Sequence, residues 1–69
     1  MMLTEEQARW SRNWQAQGLS PRAAGAVARE DLRSVQEIRA RGRASWLRTH
    51  RVGEKIVAEL EKLCEGLPP

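Results

Sequence analysis

Thr49-His50-Arg51-Val52-Gly53-Glu54-Lys55-Ile56-Val57-Ala58-Glu59-Leu60 reads as a tight turn followed by the start of an amphipathic helix. Ile56, Val57, Leu60, Leu63, Cys64 and Leu67 recur at helical spacing, so the pattern predicts a helix from about Gly53 to Glu65 with one apolar stripe. Gly66 and then Pro68-Pro69 end it. Helices usually keep glycine for their exits, yet Gly53 stands at the entrance, between Arg51 and Lys55. Two physical readings are open. A residue without a Cβ lets the free amides of a helix N-terminus approach a phosphate, or it permits a left-handed or crowded hairpin turn.

Similar signals recur upstream. Thr4 with Gln7 fits a capping box for a first helix from about Glu5 to Gln17, which Gly18 closes. Ser20-Pro21 is an N-cap followed by proline at the first helical position, and a second helix continues through Arg22-Ala23-Ala24-Gly25-Ala26-Val27-Ala28-Arg29. Its many small residues imply close approach to a neighbouring helix. Ser34 with Glu37 fits another capping box, opening a third helix that ends near Gly42, and Ala44-Ser45-Trp46-Leu47-Arg48 makes a short fourth. No segment alternates apolar and polar residues convincingly. The predicted class is therefore all-α: a compact bundle of four short helices over residues 19–67, plus an extra N-terminal helix over residues 1–18.

A chain of 69 residues supports one small core with a net stability of a few kcal/mol. Without Phe or Tyr, three Trp, the aliphatics and many Ala must fill it. The single Cys64 excludes an internal disulfide and a thiol pair for zinc, and its place on the apolar stripe reads as buried packing. His50 is a lone histidine in a turn and reads as a solvated loop residue, not a metal ligand. One histidine and scattered acids assemble no nucleophile–base set, catalytic carboxylate pair or phosphate-cradling loop, so the expectation is a non-enzymatic protein without a cofactor. The acidic start lacks a signal-peptide core, and no apolar run is long enough to span a bilayer, which predicts a soluble cytoplasmic protein.

The net charge is +3 and unevenly spread: Arg39, Arg41, Arg43, Arg48, Arg51 and Lys55 stand against Glu54 alone, whereas the last helix is acidic. Such a basic middle suits an anionic partner such as nucleic acid; a solvated arginine-rich face is the alternative. Trp46-Leu47, the turn over residues 48–51, and Val52-Gly53-Glu54-Lys55-Ile56 together have the form of a helix-hairpin-helix unit. The unpaired amides and partial positive charge of a helix N-terminus favour an anionic oxygen, and such contacts position DNA without reading bases. A second helix entrance at Ser20-Pro21-Arg22 suits a site beside the first.

From Leu19 to about Leu63 the chain resembles the C-terminal domain of the bacterial RNA polymerase alpha subunit. The matching stretches are Leu19-Ser20-Pro21-Arg22-Ala23-Ala24, Val35-x-Glu37-Ile38, Leu47-Arg48-Thr49 and Val52-Gly53-Glu54-Lys55. The resemblance implies two helix-hairpin-helix-like units that bind the minor groove of A·T-rich DNA, and contacts with RNA polymerase or a transcription regulator. It places the groove-entering arginine at Arg22, the phosphate-contacting glycine and lysine at Gly53 and Lys55, and a supporting acid at Glu59. Ser20 and Arg51 flank these positions and complete the candidate surface. Three positions depart from the family pattern. Gly25 replaces an asparagine that reads the groove, Ile56 replaces a serine that contacts phosphate, and His50 replaces a proline in the turn. Two lost polar contacts at roughly 0.5–1.5 kcal/mol each imply binding weaker by about one to two orders of magnitude.

The tryptophan-bearing first helix also has no counterpart in the family. Trp10 and Trp14, four residues apart, form either a docking stripe for a protein partner or an added piece of core. Two functions follow from the sequence: a transcription-related DNA-binding domain, monomeric or weakly dimeric, or a protein-interaction module of the same fold that has lost DNA binding.

Overall fold

Side-chain caps start the first three helices as the sequence predicts. Thr4 accepts from the Gln7 amide at 3.1 Å while Gln7 Oε1 accepts from the Thr4 amide at 3.0 Å, a reciprocal capping box. Ser20 accepts from the Ala23 amide at 3.3 Å. Ser34 accepts from Glu37 at 3.2 Å, but the Glu37 carboxylate turns back to the Ser34 hydroxyl and the Arg33 amide, not to the Ser34 amide. A computed structural model describes residues 3–66, so Leu67 of the expected stripe and Pro68-Pro69 lie outside the described residues. It contains α1 (Glu5–Ala16), α2 (Pro21–Arg29), α3 (Val35–Arg41), α4 (Arg43–Arg48) and α5 (Glu54–Cys64), with no strand among the described residues.

Two helix exits use the same device. The Gly18 amide donates to Gln15 O at 3.0 Å and the Leu19 amide to Trp14 O at 3.2 Å, with Gly18 at φ +107°. This is a Schellman motif, and its usual apolar contact is supplied by Leu19 and Trp14, both in the core. After α2 the amides of Asp31 and Leu32 return to Ala28 and Val27 in the same pattern. There Asp31 takes the left-handed position, at φ 57°, and its carboxylate accepts from Gln7 of α1 at 3.3 Å.

α1 packs along α2, and α5 touches α2, α3 and α4. Four alanines and Gly25 on α2 are buried together with Val27, which lets both neighbours come close. Trp14 (1% exposed) and Trp46 (2%) join Val27, Ile38, Val57 and Leu60 as the largest buried side chains. Trp46 donates its indole N–H to Ile38 O at 3.1 Å, whereas the Trp14 indole nitrogen is buried without a partner among the described residues. An unmet donor costs roughly 1–3 kcal/mol, so Trp14 is held by its apolar contacts. Residues on both sides of Gly18 thus share one core, and the radius of gyration, 11.0 Å, equals the roughly 11 Å of a close-packed chain of this length.

The arginines of the basic middle are partly consumed by the fold. Arg41 pairs with Glu30 and lies 4.7 Å from the centre of the Trp46 ring. Arg43 bridges Glu54 at 2.5 Å and Glu61 at 2.7 Å. Cys64 is half-buried against the core, less enclosed than its place on the stripe predicts; burial pushes its thiol pKa up, Arg39 opposes and Glu61 adds to the rise.

Candidate nucleic-acid interface

The chain leaves α4 at Thr49, whose amide donates to Trp46 O and whose hydroxyl donates to Ser45 O, both at 3.0 Å. The Val52 amide returns to Thr49 O at 3.1 Å, closing a β-turn over residues 49–52. Of its central residues, only Arg51 has positive φ, +65°, which is the sign pattern of a type II turn. That position favours glycine, and an arginine there is strained by about 1 kcal/mol.

Gly53 is in the opposite situation. At φ −117° and ψ −173° it is extended backbone that any residue adopts, and an added Cβ would meet nothing within 4 Å. Neither handedness nor crowding inside the protein calls for glycine at this position. Gly53 is the N-cap of α5 and offers no side chain to the helix, so the amides of the first turn have no side-chain acceptor.

The entrance of α2 lies beside it because Glu59 ties the two helices together. One carboxylate oxygen accepts from the Ser20 amide and the other from the Ser20 hydroxyl, both at 2.9 Å. Ser20 is thereby fixed while its own oxygen caps α2. Glu59→Gln leaves one of these two bonds with a mismatched donor. The expected cost is about 1–2 kcal/mol, measurable as a lower urea midpoint at unchanged slope.

Ser20, Arg22, Arg51, Gly53, Lys55 and Glu59 all line one open cleft of about 720 Å³. The six residues chosen from the sequence therefore meet in space. The cleft is electropositive by arrangement as well as by count. Its two carboxylates are both engaged, Glu54 by Arg43 and Glu59 by Ser20. Arg22, Arg29, Arg51 and Lys55 form no ion pair among the described residues. Ile56 is buried toward the core and forms part of the cleft wall.

Arg29 also lines this cleft and was not marked by the sequence reading. The signal that could have found it is its place one turn after Gly25, on the same face of α2. Arg39 and Arg43 instead line a different cleft, of about 450 Å³, bordered by α3, α4 and α5.

The docking stripe of Trp10 and Trp14 is not present. Trp14 is core, and Trp10 is half-buried, its ring centre 6.2 Å from that of Trp14 and 5.9 Å from the Arg33 guanidinium carbon. The hydrophobic gain of closing a marginal core wins over leaving two indoles in water. No group of three His, Cys, Asp or Glu side chains is placed to hold a metal ion, and no helix is long and apolar enough to cross a membrane, among the described residues. Comparison with protein-family models, curated proteins and solved structures finds no match to this chain.

Proposed function

We propose that this chain is a non-enzymatic, transcription-related DNA-binding domain that grips A·T-rich duplex at the minor groove. In this reading a backbone phosphate sits on the uncapped amides at the start of α5, with Lys55 and Arg51 beside it. Arg22, on the first turn of α2, enters the adjacent groove, where a narrow A·T-rich stretch concentrates negative potential. Glu59 acts by position, fixing Ser20 and so the angle between the two helix entrances.

The observation that carries the reading is the pair Arg51 and Gly53. Glycine stands where the protein's own backbone and packing do not need it, and arginine stands where the backbone would favour glycine. Both choices become intelligible if an external anion approaches this surface. The resemblance of residues 19–63 to the polymerase alpha C-terminal domain supports the same conclusion. A role in the bacterial cytoplasm, on the nucleoid and near RNA polymerase or a transcription regulator belongs to this proposal.

An amide-resolved NMR titration with A·T-rich and G·C-rich duplexes, at low and moderate salt, tests it. The amides of residues 20–23 and 51–56 are expected to shift together and saturably, more for the A·T-rich duplex and less as salt rises. Arg22→Ala is expected to remove the response. Small, diffuse shifts of equal size for both duplexes would sink the reading.

A further inference from the structure

Arg29 ends α2 and is, by sequence, only a basic residue in a last turn. Helical side chains lean toward the N-terminus, and this one lies back along the helix: Arg29 Nη1 stands 3.9 Å from where a Cβ on Gly25 would be. Gly25 itself is buried, and both residues line the electropositive cleft. Arg29 is half-buried, yet its side chain makes no ion pair or hydrogen bond among the described residues. A partly desolvated guanidinium without an acceptor is unfavourable alone and ready for an anionic one.

We propose that Gly25 and Arg29 work as a unit: the missing side chain at position 25 leaves the seat from which Arg29 makes a second, specificity-determining contact to duplex DNA. The proposal rests on the DNA-binding reading above and extends it to what the cleft distinguishes. Arg22 and Arg29 are seven positions apart on α2, two helical turns or about 10 Å along its axis, so they share a face. Gly25, on the same face between them, contributes no hydrogen-bonding side chain. Two cations without an amide between them respond to the groove's potential and width, not to a pattern of base edges. Stiff A-tracts have the narrowest, most negative groove, whereas TA steps are flexible. The cleft therefore prefers an A-tract over an alternating TA duplex of identical composition.

Fluorescence anisotropy with labelled A-tract, alternating TA and G·C-rich duplexes at several salt concentrations tests this. The wild-type chain is expected to bind in that order of affinity, and Arg22→Ala to lose binding to all three. Arg29→Ala is expected to weaken A-tract binding about tenfold, lower the salt slope by about one, and level the A-tract with the TA duplex. It removes no side-chain bond among the described residues, so its thermal unfolding should match the wild type. Gly25→Leu should reproduce the Arg29→Ala result by displacing the guanidinium, and adding Arg29→Ala to it should cause no further loss. Gly25→Ala, whose methyl group fits, should keep the preference. If the wild type binds and Arg22→Ala does not, but Arg29→Ala keeps the affinity, salt slope and A-tract preference, this inference is overturned and the DNA reading stands. If the wild type binds none of the duplexes, both fall.

Discussion

Replacing Trp14 by alanine is expected to leave the chain unfolded at room temperature. The side chain is 1% exposed and packs in the cluster that holds Leu19, Ala23, Val27 and Leu60. Removing a buried indole typically costs about 3–5 kcal/mol, as lost transfer energy plus a cavity that the surroundings only partly fill. A domain of this size has only about 3–5 kcal/mol in total, so one substitution exhausts it. Deleting residues 1–18 removes the same side chain and the whole α1–α2 contact, and is expected to give the same result. Circular dichroism during thermal and urea unfolding measures both. A cooperative transition within a few degrees of the wild type, for either variant, would show that α1 merely decorates a bundle able to stand alone. Trp14→Phe keeps most of the volume and removes the unpartnered indole N–H, so it should remain folded.

Gly53→Asp is expected to separate stability from binding. Aspartate is a better N-cap than glycine by a few tenths of a kcal/mol, and its charge at a helix N-terminus contributes about 0.3–1 kcal/mol more. Space is available, because an added Cβ meets nothing, and the backbone there is extended. The variant should therefore unfold at the same or slightly higher temperature. Its carboxylate would then occupy the place assigned to phosphate, satisfying the amides internally and repelling the DNA backbone. Charge-assisted hydrogen bonds contribute about 1.5–3 kcal/mol each, so duplex affinity should fall by roughly 10- to 100-fold. Gly53→Ala, which adds bulk without charge or a cap, should weaken binding by less. Wild-type affinity in Gly53→Asp would move the phosphate seat away from α5. A fall in both stability and affinity would mean that Gly53 serves the fold.

Much of the helical architecture was legible because its signals are local. Thr4, Ser20 and Ser34 are caps that act within one turn of themselves, and Gly18 announces a left-handed exit by its identity. Asp31 was not legible: it fills the same left-handed position after α2 without glycine's mark, and its bond to Gln7 spans 24 residues. The left-handed residue of the hairpin was likewise hidden, because Arg51 holds it while the visible glycine stands two positions later.

The candidate site divides along the same line. The two helix entrances, at Ser20-Pro21-Arg22 and at Val52-Gly53-Glu54-Lys55, were legible in the residues themselves, whereas the roles given to Arg22, Gly53, Lys55 and Glu59 are what the resemblance implies. That they converge depends on Ser20 and Glu59, which meet across 39 residues, a distance over which sequence spacing carries no geometry. Charge alone did not decide between the two readings of the basic middle: Arg41 is drawn into an ion pair with Glu30, just past α2, and Arg43 with Glu54 and Glu61 of α5, while Arg29, outside that run, stands in the cleft. The sequence by itself determined which segments become helices and, to within a residue, where each begins, since propensity, capping and periodicity act over a few residues. Only the tertiary structure decided that Trp14 is core and which arginines remain without partners. Burial and ion pairing are set by what the other helices bring into contact.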